Sequence, residues 1–225
     1  MDNMKALTLL GRAGCGKGTQ AKLLMEKFGL IYIGSGEILR AIGKQDNFNG
    51  KKIKEIIEQG KLAPTFLIFQ QWINRLSDIK LSADPNFTGI IFDGSPRKLI
   101  EAQMMQEAMI WYEWDKNFKA ILVDISREEA FNRLTRRRQC AKCGQLIPYI
   151  GAYKDLVVCD KCGGELVVRM DDTPEAINLR LDLFEQEVMP VVNFFEQEGY
   201  LVKVNGEQSI EDVQKEILAK ISLVN

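Results

Sequence analysis

Short apolar runs alternate along this chain with longer stretches in which apolar residues recur every three or four positions. "MKALTLL" (4–10), "LIYIG" (30–34), "GIIFDG" (89–94), "KAILVDI" (119–125) and "YLVKV" (200–204) read as strands. Continuous apolar runs such as 89–94 and 119–125 mark parallel strands buried on both faces. Helices are expected over 16–28, with Ala21, Leu23, Leu24 and Phe28 on the inner side, and over 36–44, 50–60, 64–77 and 127–138. Thr173, Pro174 and Glu175 supply a cap, a preset φ and an acid in the first turn of another helix. That helix runs towards Phe195 and is expected to bend at Pro190. Ser209 and Asp212 have capping-box spacing for a last helix. Strands alternating with helices predict an α/β fold, with a parallel sheet covered on both faces. Residues 136–172 break the alternation. They begin basic, are rich in Gly and Cys, and read as a small inserted subdomain.

Composition narrows the classes. The 225 residues suffice for one substantial core with one or two small insertions. Thirty basic and 31 acidic residues nearly cancel, which argues against a general nucleic-acid or membrane-surface binder, since those need a strong basic field. No apolar run approaches the ~20 residues of a membrane span. "MDNMK" has no secretory pattern, so a cytoplasmic location is expected. The chain has no histidine, which removes the commonest general base and every His-based triad.

The most chemical stretch is "GRAGCGKGTQ" (11–20). Gly11 to Lys17 fit G-x-x-x-x-G-K between a strand and a helix, the context of a phosphate-binding loop. Glycines let backbone N–H groups turn inward around phosphate oxygens. The helix start adds partial positive charge, and Lys17 adds a full one at the β/γ oxygens. Ser or Thr usually follows the lysine; here Gly18 intervenes and Thr19 comes next.

Cys140, Cys143, Cys159 and Cys162 form C-x2-C-x15-C-x2-C, the spacing of a zinc ribbon. Two C-x-x-C turns complete a tetrahedron of thiolates with no open position, so the expected Zn²⁺ is structural. Iron fits the same ligand set. Cys15 stands apart in the glycine loop, either as a small space-filling residue or as a reactive thiol beside Lys17.

G-K-G-T-Q after such a loop resembles adenylate kinase and its nucleoside monophosphate kinase relatives. Further motifs follow in the family's order: "GSGEILR" (34–40), "GKLAP" (60–64), "FDGSPR" (92–97), "RLTRRRQCAKCG" (133–144) and "RMDD" (169–172) with Arg180. The resemblance implies a P-loop kinase fold with a central five-stranded parallel sheet. It implies a core of 1–33, 64–135 and 173–225, a monophosphate-binding insertion at 34–63 and a zinc-bearing lid at 136–172. The implied reaction is ATP + AMP ⇌ 2 ADP with Mg²⁺, in a monomer, with ATP and AMP as partners and neither nucleic acid nor membrane.

By the same resemblance, Gly14, Cys15, Gly16, Lys17, Gly18, Thr19, Arg133, Arg137 and Gln208 bind ATP. Ser35, Gly36, Arg40, Ile57, Lys61, Leu62, Ala63, Gly94, Arg97, Glu101, Arg169 and Arg180 bind AMP. Lys17, Arg97, Arg133, Arg137, Arg169 and Arg180 place charge on the moving phosphoryl group, and Asp93 orients water around Mg²⁺. Asp171 and Asp172 are expected where the lid meets the core.

Several residues depart from the family pattern: Ala13 for Pro, Ser35 for Thr, Glu37 for Asp, Thr65 for Asp and Ser95 for Phe. Glu101 matters most. The family usually has Gln there, which both donates to and accepts from adenine, whereas an ionised Glu only accepts. Glu101 therefore suits guanine N1–H and N2–H₂, or the cytosine amino group, and GMP or CMP is the alternative acceptor. A more distant alternative is a zinc-ribbon protein that grips nucleic acid through "RLTRRR" (133–138).

Overall fold

The structure, a computed structural model, describes residues 5–169 and 172–222. Its elements in chain order are β1 (Lys5–Leu10), α1 (Lys17–Phe28), β2 (Ile31–Gly34), α2 (Ser35–Gly43), α3 (Phe48–Glu58), α4 (Thr65–Ser82), β3 (Gly89–Asp93), α5 (Leu99–Trp111), β4 (Phe118–Asp124) and α6 (Arg127–Arg136). Then come β5 (Arg138–Cys140), β6 (Leu146–Ile147), β7 (Leu166–Val168), α7 (Pro174–Leu183), α8 (Met189–Gln197), β8 (Leu201–Asn205) and α9 (Ile210–Ser222).

The five expected strands form one parallel sheet in the order β2-β3-β1-β4-β8. Successive side chains leave a strand on opposite faces, so one apolar run feeds two cores. Ala6, Phe92, Ala120 and Leu122 meet Trp72 and Leu76 of α4, Met105 of α5 and Phe195 of α8. Leu7, Leu9, Ile91, Ile121 and Val123 meet Leu24 of α1, Leu134 of α6, Ile177 of α7 and Ile217 of α9. This is the three-layer α/β/α arrangement that the alternation predicts. All five strands are parallel, so the segments following β1, β2, β3, β4 and β8 emerge at one edge, where open α/β sheets bind ligands.

Three features differ from the sequence expectation. Helix α5 has no counterpart in the pattern, because apolar and polar residues fall on both of its sides: Ala102, Met105 and Met109 are buried with Glu101, while Ile100, Ile110 and Trp111 face solvent with Gln103 and Glu107. Helix α4 continues five residues beyond 77, to Ser82. The expected bend at Pro190 is a π-turn, Phe184–Val188, placed just before the proline. Pro190 has no N–H to give the carbonyl four residues back, and the Met189 N–H reaches instead to Phe184 O.

Residues 138–168 carry a separate antiparallel sheet, β6-β5-β7. Its strands have two or three residues each, too short for a hydrophobic period to show.

Candidate active site

The loop after β1 has the backbone a phosphate cradle requires. Gly11, Gly14 and Gly16 take φ of 140°, 84° and 100°, values that side chains resist. Gly16 is the N-cap of α1 and no side chain caps that end, so the first N–H groups of the helix point into the loop. The Lys17 ammonium folds back over the loop and donates to Gly11 O at 2.7 Å and Arg12 O at 2.9 Å. Cys15 is buried, and its Sγ accepts from Lys17 at 3.5 Å.

Arg12 anchors this loop from behind. Its guanidinium donates to Asp124 Oδ1 at 3.1 Å, Ile125 O at 2.8 Å and Glu185 Oε1 at 2.5 Å. It also stacks on the Phe184 ring, 4.6 Å from the centroid. Both partners in the π-turn, Phe184 and Glu185, therefore hold the loop. The sequence gives no warning of this contact, because the two segments lie 173 residues apart.

Beside the loop, β3 ends in Asp93. Its Oδ2 stands 3.4 Å from where a side chain on Gly18 would begin, so carboxylate and helix start are neighbours. It accepts a hydrogen bond from the Tyr32 hydroxyl at 3.0 Å. Burial first, and the Asp93 charge second, push the Tyr32 phenol up from its ordinary value, so it remains a donor. One carboxylate beside a phosphate cradle fits Mg²⁺, which keeps several waters and takes its remaining ligands from phosphates.

Two groups of arginines converge here. Arg97 lies close enough to Arg40 and Arg180 to feel both charges, and Arg137 lies similarly close to Arg169 and Arg180. Asp172 carries the second group. Its carboxylate is fully buried and accepts two bonds from Arg137, at 2.8 and 2.9 Å, and one from Arg180 at 2.8 Å. Burial lowers the Arg137 guanidinium from its ordinary value, and Asp172 opposes that fall. Met170 and Asp171 lie outside the described residues. Removing one member of a buried ion cluster leaves the others uncompensated. Asp172→Ala is therefore expected to cost about 3–5 kcal/mol of stability, read from urea denaturation midpoints.

The remaining candidates fall into place unevenly. Arg133 is buried and pairs with Glu129 at 2.6 Å. Gln208 follows β8 at the same sheet edge, but its amide donates to Asn205 O and Glu216. Arg40 lies back over Gly36, and Arg97 donates to Gly94 O at 2.8 Å. The Ser35 hydroxyl is buried against that of Ser95, a pairing the sequence did not signal. Ile57 packs near Gly43, Gly60 lies against Ala176 and Arg180, and Lys61, Leu62 and Ala63 lead from there into α4. Glu101 is buried at the start of α5. Its Oε2 accepts from the Arg97 N–H at 2.8 Å and its Oε1 from the Thr65 hydroxyl at 3.4 Å. The basic run 133–138 is largely engaged within the chain: besides Arg133 and Arg137, Arg136 stacks on Tyr149 and Arg138 donates to Leu156 O, Tyr153 O and Lys154 O.

The four cysteines gather as their spacing predicts, with all sulfurs within 4.8 Å of one another. Cys140 and Cys162 are 3.5 Å apart, and Cys143 and Cys159 3.7 Å. A tetrahedron of 2.3 Å Zn–S bonds has edges of about 3.8 Å, so the cluster could hold one zinc ion. The Cys143 N–H bonded to Cys140 Sγ lowers that thiol from its ordinary value, while Cys162, hydrogen-bonded to its neighbouring thiols, is raised. Among the described residues, no helix is long and apolar enough to cross a membrane.

A family model described as adenylate kinase matches residues 9–200. Proteins named adenylate kinase align along nearly the whole chain. That of Archaeoglobus fulgidus is 37% identical over 215 residues, covering 95% of this chain and 96% of its own. That of Thermotoga neapolitana is 36% identical over 217 residues, with 96% of each covered, and that of Acetivibrio thermocellus 33% over 217, with 96% and 97% covered.

Proposed function

Because the chain belongs to the adenylate kinase family and is a nucleoside monophosphate kinase, we propose that it transfers the γ-phosphoryl group of Mg·ATP reversibly to AMP, giving two ADP. The observation that carries this reading is the joining of three features at one sheet edge: the uncapped glycine loop with Lys17, the Asp93 carboxylate, and the convergent arginines.

In the forward direction an acceptor phosphate oxygen attacks the γ-phosphorus in line. The bond to the β–γ bridging oxygen breaks, and its electron pair stays on the β-phosphate. The second ionisation of a phosphate monoester lies near 6, so the attacking oxygen is already unprotonated at neutral pH. No protein base is needed, which suits a chain without histidine. The protein's task is placement and charge. In this reading the loop from Gly14 to Thr19 binds the donor phosphates, and Lys17 reaches the β/γ oxygens. Arg133, Arg137 and Gln208 lie on the donor side. Arg40 and Arg97 hold the acceptor phosphate, with Ser35, Gly36, Ile57, Lys61, Leu62, Ala63, Gly94 and Glu101 around the acceptor nucleoside. Arg169 and Arg180 face the group in flight. Bound Mg²⁺ neutralises charge on the donor phosphates, and Asp93 orients its waters. Residues 34–63 serve as the acceptor-binding insertion and 136–172 as a lid around a structural zinc, in a cytoplasmic monomer. Closing the lid excludes water, which limits wasteful hydrolysis of ATP.

A second reading rests on Glu101. A buried carboxylate that already accepts from Arg97 and Thr65 offers a base only further acceptor capacity. Guanine or cytosine can donate to it, whereas adenine N1 needs a donor. Product formation from Mg·ATP with AMP, CMP, UMP and GMP in turn decides between the two. Dominant use of AMP is expected; dominant use of GMP or CMP replaces AMP as the acceptor; no transfer to any of the four overturns both readings.

A further inference from the structure

We propose that Tyr32 is a positioning residue for phosphoryl transfer: its hydroxyl fixes the Asp93 carboxylate beside the phosphate loop, and Gly34 is the gap that lets it do so. The inference rests on the reading that Asp93 serves the metal–nucleotide complex.

Tyr32 and Gly34 are two residues apart on β2 and so lie on the same face of the sheet. β2 pairs with β3 so that Tyr32 stands opposite Ile91, Ile33 opposite Phe92 and Gly34 opposite Asp93, which puts Asp93 two steps further along the strands than the partner of Tyr32. The phenol therefore has to travel along the strand to reach the carboxylate. It does so by lying across Gly34. A Cβ at position 34 would stand 2.3 Å from ring Cε1 and 2.6 Å from the phenol oxygen, distances that real atoms do not adopt. The hydroxyl ends 3.0 Å from Asp93 Oδ2, the same oxygen that faces Gly18 at the start of α1. Glu37 and Arg40 are near enough to act on the phenol electrostatically. Tyr32 is thus hydrogen-bonded to the proposed metal carboxylate and within electrostatic range of Arg40, a proposed acceptor-phosphate arginine. A rigid ring carrying one donor restricts the carboxylate's rotation, and a hydrogen bond to a charged group is worth more than a neutral one.

Tyr32→Phe keeps the ring over Gly34 and deletes only the donor. The probe is Mn²⁺ with ATP and no acceptor, with bound Mn²⁺ followed by electron paramagnetic resonance alongside steady-state rates. In the variant, the half-saturating metal concentration is expected to rise about tenfold and kcat to fall by a similar factor. The acceptor KM should stay within about twofold, because the acceptor's own contacts are untouched. Gly34→Ala, with the tyrosine retained, should reproduce the metal effect by displacing the ring. If Tyr32→Phe lowers only thermal stability, or leaves metal binding and kcat unchanged, the inference is overturned. Asp93→Asn separates the two levels. Unchanged Mn²⁺ binding in that variant removes the role of Asp93 itself. Weakened binding there, with normal binding in Tyr32→Phe, removes the tyrosine alone.

Discussion

With Lys17 replaced by alanine, turnover is expected to fall by about three orders of magnitude, the scale of losing a charge aimed at the transition state. The fold should survive. The ammonium contributes no core packing, and its bonds to Gly11 O and Arg12 O lie at the loop rather than in either apolar layer. In the proposed mechanism those two carbonyls are the partners that phosphate oxygens would replace. Lys17→Arg is not a conservative control, because a planar fork cannot occupy the space of a compact ammonium. Coupled-assay kinetics with thermal unfolding of the same samples test both halves. Near-normal turnover with an intact fold would remove Lys17 from the mechanism.

Metal removal should have an effect of similar size by a different route. Residues 138–168 bury Cys140, Ile147 and Cys159, while Val157 and Val158 are exposed and Val168 is 65% exposed. Such a segment has almost no apolar core of its own, and the proposed zinc would supply what burial does not. Structural zinc is worth about 10–16 kcal/mol in isolated finger peptides, more than a marginal piece of chain needs to fold. Chelation, or Cys159→Ser, is therefore expected to release one metal ion per chain and expose 138–168 to protease. The same treatment should reduce turnover at least about a hundredfold, the scale of lost closure and positioning. The five-stranded sheet should keep its cooperative unfolding transition, because both of its cores are built without the cysteine segment. Full protease protection and full activity in metal-free protein would show that the cysteines fold the segment unaided.

The parts legible in the sequence were those that local physics dictates. A strand buried on both faces must be an apolar run, and all five runs became strands of the sheet. Positive-φ glycines next to a helix start, and two C-x-x-C turns that gather four thiols, are local features, so both read directly. Helix α5 was hidden because Ile100, Ile110 and Trp111 put apolar residues on its exposed side while Glu101 puts a carboxylate on its buried one, which erases the periodicity. The Arg137–Asp172–Arg180 cluster joins residues up to 43 positions apart, and no local rule pairs them. Glu101 read as a base-facing residue. The structure also gives it the Arg97 N–H and the Thr65 hydroxyl, partners that depend on how the turn before α5 is folded. Tyr32 and Gly34 are ordinary strand residues in the sequence. Their relation appears only when β2 is set in register with β3.

The Arg12 anchor has a consequence for exchanging parts between relatives. Its guanidinium neutralises Asp124 and Glu185 together and covers the ring of Phe184. A loop transplanted from a protein with a small residue at this position would leave two carboxylates facing each other and an aromatic face uncovered. The loop is thus not a self-contained cassette. Its natural unit of exchange spans residues 11–17, the end of β4 and the π-turn before α8, and a chimera should move all three together.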